Sequence, residues 1–183
     1  KASTGYPDRY RHKPFFKSDR YLGGAWKAMP ADLSKPRLGW RVLDLLDDTS
    51  NWGARKYIVG EVDIFKVDRT TEFYAHANIN YLRLDHIPRF EEGWEPVLKA
   101  LRDGAFFIST GEVLMPRFTI GAKQSGQTLK LDATGRAKLE VGLSWTFPMA
   151  FAELITGDGK QVHRKRIDLT RTGAFGKQTL KTT

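Results

Sequence analysis

The chain has 183 residues, of which 40% are hydrophobic and 12% aromatic, with a formal net charge of +9 and no cysteine. That composition belongs to a folded protein rather than a disordered one, and the length allows one large domain or two small ones. It excludes a disulfide framework and thiolate chemistry, so any metal site must use His, Asp and Glu; no apolar run approaches the roughly eighteen residues of a membrane span, and no secretion signal opens the chain.

The charge is uneven. Residues 1–30 carry seven basic and two acidic side chains, 31–112 eleven and fourteen, and 113–183 twelve and five. Basic ends can draw in phosphates or anionic glycans, but Lys and Arg scattered on strands read as a solvated face, so nucleic acid is not the expected partner. A start at Lys1 is what a fragment or processed product would show, and the compartment stays open between export and cytoplasm.

The first forty residues, with "TGYPDRY" and "YLGGAWKAMPADLSKPRLGW", read as loops and short turns pinned by aromatics. Val42, Leu43, Leu45 and Leu46 mark a short helix that should stop before the polar cluster 47–51. "KYIVGEVDIFKV", 56–67, reads as one or two buried strands with Gly60 at a bend, followed by helix or coil over 72–77 and a strand over 79–84. In 91–103, Trp94, Val97, Leu98 and Leu101 recur at helical spacing, with Glu91 and Glu92 at the start and Gly104 as cap, predicting a helix that faces the core.

From Ala105 the period changes to two. Strands are predicted at 105–109, 113–120, 127–132, 136–145, 149–156 and 161–169, joined by Gly-bearing turns; in "AKLEVGLSW" Leu139, Val141, Leu143 and Trp145 share one face. The chain therefore divides into an irregular α/β part, 1–104, and an all-β part, 105–183, with the look of an antiparallel sandwich or half-barrel. The class is α+β.

Three groups invite chemistry. Glu61 and Asp63, two apart on a strand, would share a face and could grip one cation or share a proton; on most strands such a pair is simply the outward face. Glu72 and His76 would share a helix face at a spacing that suits a transition metal, with Asp85-His86 nearby, although a His four residues from a Glu is more often a hydrogen-bonded pair. Glu112 lies in Ser109-Thr110-Gly111-Glu112, between two apolar runs, where a strand connection needs no carboxylate. With no HxH, HExxH, GxSxG, Walker loop or GxGxxG fingerprint, a self-contained catalytic site is not expected.

The succession "GEVDIF", "YAHANINYLRLD", "GWEPVLKALRDGAFFISTGEVLMPRFTIGAKQSG" and "LSWTFPMAFAELITGDGKQVHRKRIDL" resembles the C-terminal portion of CehA/McbA-type metallohydrolases, of the PHP superfamily of metal-dependent phosphoesterases. The resemblance rests on a helix framed by Trp94 and Gly104, on Phe106, Phe107, Thr110 and Gly111, on Gly121 and Gly126, and on Ala152-Glu153-Leu154 with Gly157-Asp158-Gly159; it covers the chain from about residue 56 and more weakly from Lys1. It implies that 1–104 ends a distorted β/α barrel and that 105–183 is an immunoglobulin-like accessory sandwich. It further implies a divalent Zn, Mn or Fe centre, hydrolysis of a small anionic phosphoester or related ester or amide, Asp63 and His76 as metal ligands, and Glu112 near the barrel mouth in contact with substrate. The family's hallmark HxH is missing, and its late Asp-x-His has only the adjacent Asp85-His86 here, so an upstream segment of the same protein would have to complete the centre. The same residues also fit a non-catalytic module, in which Trp145 and Phe147 beside Pro148 stack on a sugar ring or dock a protein; aromatics ending an alternating strand are as well read as packing.

Overall fold

A computed structural model of the chain describes residues 10–26, 42–62 and 78–183. It shows a mixed, strand-rich α+β protein with several antiparallel sheets and few helices. Two compact units divide the chain in space: residues 1–78 with 151–168, and 79–150 with 169–183. The 104/105 boundary marks a change of sequence period, whereas the spatial division assigns the 151–168 hairpin to the first unit.

In the first unit, α1 (Pro14–Lys17) precedes β1 (Gly23–Trp26), α2 (Val42–Asn51) and β2 (Tyr57–Gly60). β1 and β2 pair in parallel, Gly23 opposite Tyr57 and Trp26 opposite Gly60, with α2 in the crossover that parallel strands require. Phe16 is buried, with Trp52 edge-on at 5.6 Å and Tyr21 at 5.9 Å, while Phe15 stacks on Tyr21 at 4.4 Å. Lys56 Nζ donates to the carbonyls of Ser18 at 2.6 Å and Tyr21 at 2.5 Å, and burial lowers its pKa. The strands β8 (Phe151–Gly157) and β9 (Val162–Asp168) form an antiparallel hairpin, closed where Asp158 accepts the amides of Lys160 and Gln161, both at 2.8 Å.

Helix α2 does not stop at residue 46 but runs through the polar cluster to Asn51. The reason is tertiary: Asp47, Asp48 and Thr49 are all buried, Thr49 Oγ1 donates to the Leu46 carbonyl at 3.1 Å, and Arg164 Nη2 of β9 donates to Asp47 Oδ2 at 2.5 Å. Residues that look like a helix terminus in one dimension are interior in three.

The second unit contains β3 (Ile79–Leu82), α3 (Glu95–Asp103), β4 (Phe106–Ser109), β5 (Val113–Ile120), β6 (Lys123–Gln124), β7 (Leu139–Trp145) and β10 (Gly176–Thr182). β3 and β4 form a two-stranded ribbon, and β10-β7-β5-β6 a four-stranded antiparallel sheet. Leu139, Leu143 and Trp145 are buried, as the alternation requires. Between Leu114 and Arg117, β5 carries one residue more than β7, so Met115 and Pro116 form a bulge, where a residue without an amide proton costs no ladder bond.

Two expectations are corrected here, and one strand lies beyond those expected. Residues 127–132 are not a strand: the Gln127 amide donates to the Gln124 carbonyl at 3.1 Å and the Asp132 carbonyl accepts the Gly135 amide at 3.0 Å, so both ends of the segment are tied into local turns instead of a ladder. β10 carries no periodic signal, since Leu180 is its one large apolar residue, yet it pairs with β7 along its whole length. Helix α3 is capped by Gly104 in the left-handed region, but Trp94 is 76% exposed, Leu98 is exposed too, and Ala100 is its buried residue. The face turned inward runs through Val97, Ala100 and Leu101, one step around the helix from the stripe of Trp94 and Leu98.

Candidate functional site

Asp63 and His76, the expected metal ligands, lie outside the described residues, as does Glu72. Glu61 is exposed, and its backbone carbonyl accepts from Asn78 Nδ2 at 3.5 Å. His86 does not act with Asp85: its Nε2 lies 3.0 Å from Glu92 Oε1, and Glu92 also accepts the Arg89 amide at 2.7 Å. Those bonds, the Arg89 amide first, hold the Glu92 carboxyl below its usual range and make the pair a cap on the 3₁₀ turn Phe90–Glu92. Among the described residues no three His, Asp or Glu side chains gather as metal ligands, so they do not fit a metal centre by themselves.

Trp145 is 7% exposed and its Nε1 donates to the Gly173 carbonyl at 2.8 Å. It is a core residue whose polar edge is satisfied, and Gly176 gives it room: a Cβ there would lie 2.4 Å from the indole ring. Trp145 is therefore unavailable as a sugar platform. Phe147 is exposed.

Glu112 occupies a different environment. The last full rung of the four-stranded sheet is Val113, Trp145 and Gly176, and one step beyond it stand Glu112, Thr146 and Phe175. Two backbone bonds extend the ladder through them, Thr146 N to the Glu112 carbonyl at 3.0 Å and Phe175 N to the Thr146 carbonyl at 3.2 Å. The tetrapeptide folds on itself: Ser109 Oγ donates to the Val113 carbonyl and accepts the Gly111 amide at 2.9 Å, and Thr110 Oγ1 donates to Glu112 Oε2. Glu112 Oε1 is buried without a hydrogen-bond partner, and so is Thr146 Oγ1. Phe175 completes the rung with φ +53°, a strained value for a residue with a Cβ, and its ring is exposed. A half-used carboxylate, an idle hydroxyl and a strained backbone thus meet at one end of the sheet.

The same unit holds a concavity that sequence reasoning missed. β4 and β5 are joined by residues 110–112 alone and yet belong to different sheets, so they diverge from the bond between Ser109 and Val113 and leave a wedge of about 870 Å³. Its walls include Tyr81, Arg83 and Phe107 on the ribbon and Met115, Arg117 and Gln124 on the sheet. Tyr81 and Phe107 are cross-strand partners whose rings stack at 4.8 Å and 3°. Arg83 Nη2 bonds the Ser125 carbonyl at 2.9 Å; the turn reaches that position because Gly126, at φ +81°, lies where a Cβ would be 2.9 Å from the Asp103 carbonyl. The wedge itself is not visible in the sequence, since its walls come from four separate segments, around β3, β4, β5 and β6, that only the fold brings together.

Compared with protein-family models, with curated proteins and with solved structures, the chain matches none. Fold and site together define a strand-rich α+β protein with an under-used carboxylate at the end of one sheet and a ligand-sized wedge beside it.

Proposed function

We propose that this chain is the C-terminal region of a PHP-type metal-dependent hydrolase, acting on a small anionic phosphoester or a related ester or amide. In this reading its earlier part ends a distorted β/α barrel and its later part is an immunoglobulin-like accessory sandwich. The divalent metal would supply Lewis-acid activation of the ester; Asp63 and His76 would contribute ligands, and an upstream segment of the same protein the rest. The observation that supports the reading is Glu112: one carboxylate oxygen is spent on Thr110, while the other is buried and unpaired, on a residue whose backbone neighbour across the ladder, Thr146, also has a buried, unpartnered hydroxyl. A carboxylate needed only to close its own turn would have both oxygens engaged or solvated. Glu112 is accordingly assigned to contact with substrate.

The test compares this chain with a longer polypeptide that includes the upstream segment, by metal analysis and by hydrolysis of a generic phosphoester. The short chain is expected to be inactive, and the longer one to hold metal and turn over. Glu112→Gln, which keeps shape and volume, should lower turnover of the longer protein at least about tenfold while leaving its metal content unchanged. Turnover by the short chain, or full activity of the Gln variant, would refute the reading.

The alternative, a non-catalytic binding module, is favoured by one observation, the wedge beside β5. Burial of the Trp145 ring gives its sugar-stacking form no support.

A further inference from the structure

The wedge between the β3–β4 ribbon and β5 has a chemistry of its own, independent of Glu112, which does not line it. At about 870 Å³ it falls in the range of small-molecule sites, roughly 300–1,000 Å³. Its surface is mainly apolar: the Tyr81–Phe107 stack on one wall, Met115 and Pro116 on the other. Its lining contains two arginines and no Asp or Glu.

Among the described residues, neither guanidinium has a carboxylate to itself. Arg83 spends one nitrogen on the Ser125 carbonyl, a partner without formal charge. Arg117 approaches Glu140 at 3.1 Å, but the same carboxylate serves Lys138 at 2.8 Å and Lys181 at 3.6 Å, so three cations share one anion. The Arg117 side chain is 63% exposed and retains donors for a further acceptor.

The strand edge narrows the class of occupant. An extended peptide adding itself to β5 would need an unbroken row of backbone donors and acceptors, and β5 offers Pro116 inside a bulge instead. A compact molecule meets no such requirement.

We propose that this wedge binds a small amphipathic anion, with a planar apolar body against the Tyr81–Phe107 pair and Met115 and a carboxylate or phosphate-like group directed at the guanidinium groups of Arg83 and Arg117. This goes beyond the metallohydrolase reading and does not depend on it. Both anionic head groups share the recognition chemistry, planar donors facing two or three acceptor oxygens.

The chain itself is titrated with 2-naphthoate, 2-naphthylphosphonate and uncharged 2-naphthol, followed by calorimetry and by amide chemical shifts. At least one anion should bind with a Kd below about 1 mM and at least about tenfold more tightly than 2-naphthol, with shifts centred on 81–83, 106–107 and 114–119. The better anion identifies the head group. Arg117→Gln should weaken it about tenfold without altering 2-naphthol affinity, Tyr81→Ala should weaken all three probes, and Lys165→Gln in the other unit should change nothing. Arg83 also holds the Ser125 turn, so the Arg117 variant is the one that isolates the effect of charge. The proposal is overturned by absence of saturable binding, by equal affinity for the neutral probe, by an unchanged Arg117→Gln variant, or by shifts confined to other regions. Because none of the probes is hydrolysed, the outcome is independent of whether the longer polypeptide is an enzyme.

Discussion

The two units of this protein solve the same problem with different forces. The second is organised by alternation: Leu139, Leu143 and Trp145 of β7 turn inward, and β5 and β10 flank them in register. The first buries polar groups, with Arg164 bonded to Asp47 and lying 3.8 Å from Glu153, Arg166 at 3.1 Å from the same carboxylate, and Lys56 under two carbonyls. The lesson is that similar strands and hairpins can be fixed either by area removed from water, which tolerates conservative exchange, or by paired charges, which tolerate the loss of neither partner.

The largest expected effect tests the apolar side of that contrast. Trp145→Ala should destabilise the second unit by about 4 kcal/mol, from lost burial and the cavity left behind. Hydrogen exchange should show β7 and β10 amides losing protection first; unchanged protection there would mean the indole is not the keystone its burial suggests.

On the charged side, Asp47→Ala should cost the first unit about 3 kcal/mol by leaving the Arg164 guanidinium buried without that partner. The sharper measurement is the double variant Asp47→Leu with Arg164→Met, which should recover most of the loss in urea denaturation. If the double variant is as unstable as the single one, packing rather than charge pairing holds the β8–β9 hairpin to α2.

A smaller effect, about 2 kcal/mol, is expected for Gly126→Ala, since the new Cβ would meet the Asp103 carbonyl at 2.9 Å in a left-handed conformation. The same change should displace Ser125 from Arg83 and weaken anion binding in the wedge, which links the fold of the turn to the site.

The smallest is electrostatic and belongs to the exposed hairpin turn. The amides of Gln161 and Lys160, with His163, lower the Asp158 pKa from 3.8 to about 2. Its folded pKa being below its unfolded one, the group's stabilisation is complete above about pH 4 and is lost as the pH falls through about 2. Asp158→Asn should flatten the stability curve between those values; an unchanged slope would show that other carboxylates dominate acid unfolding.

Glu112 drew attention in the sequence because a carboxylate between two apolar runs contradicts the local pattern, and in the structure one of its oxygens is buried and unpartnered. The wedge was not legible. Tyr81, Phe107 and Arg117 sit in three strands and become neighbours only because β4 and β5 splay after a tight link. The stripe of Trp94 and Leu98 misled for a related reason: helical periodicity gives the width of an apolar face but not its direction, and here the buried side passes through Ala100.

The sequence by itself determined what depends on near neighbours. It placed β5 to the residue, it placed β7 and the hairpin strands within a few positions, and the Gly104 cap and the change from helical to strand period at 105 follow from local sterics and burial on one face. Tertiary structure alone decided the extension of α2 through residues 47–51, the recruitment of β10 as an edge strand and the opening of the wedge. Each depends on a partner supplied by a distant segment: a guanidinium 117 residues away, a ladder on β7, a ribbon diverging from a sheet. Local propensity cannot contain those partners, because the free energy that selects these conformations is released only when the distant groups meet.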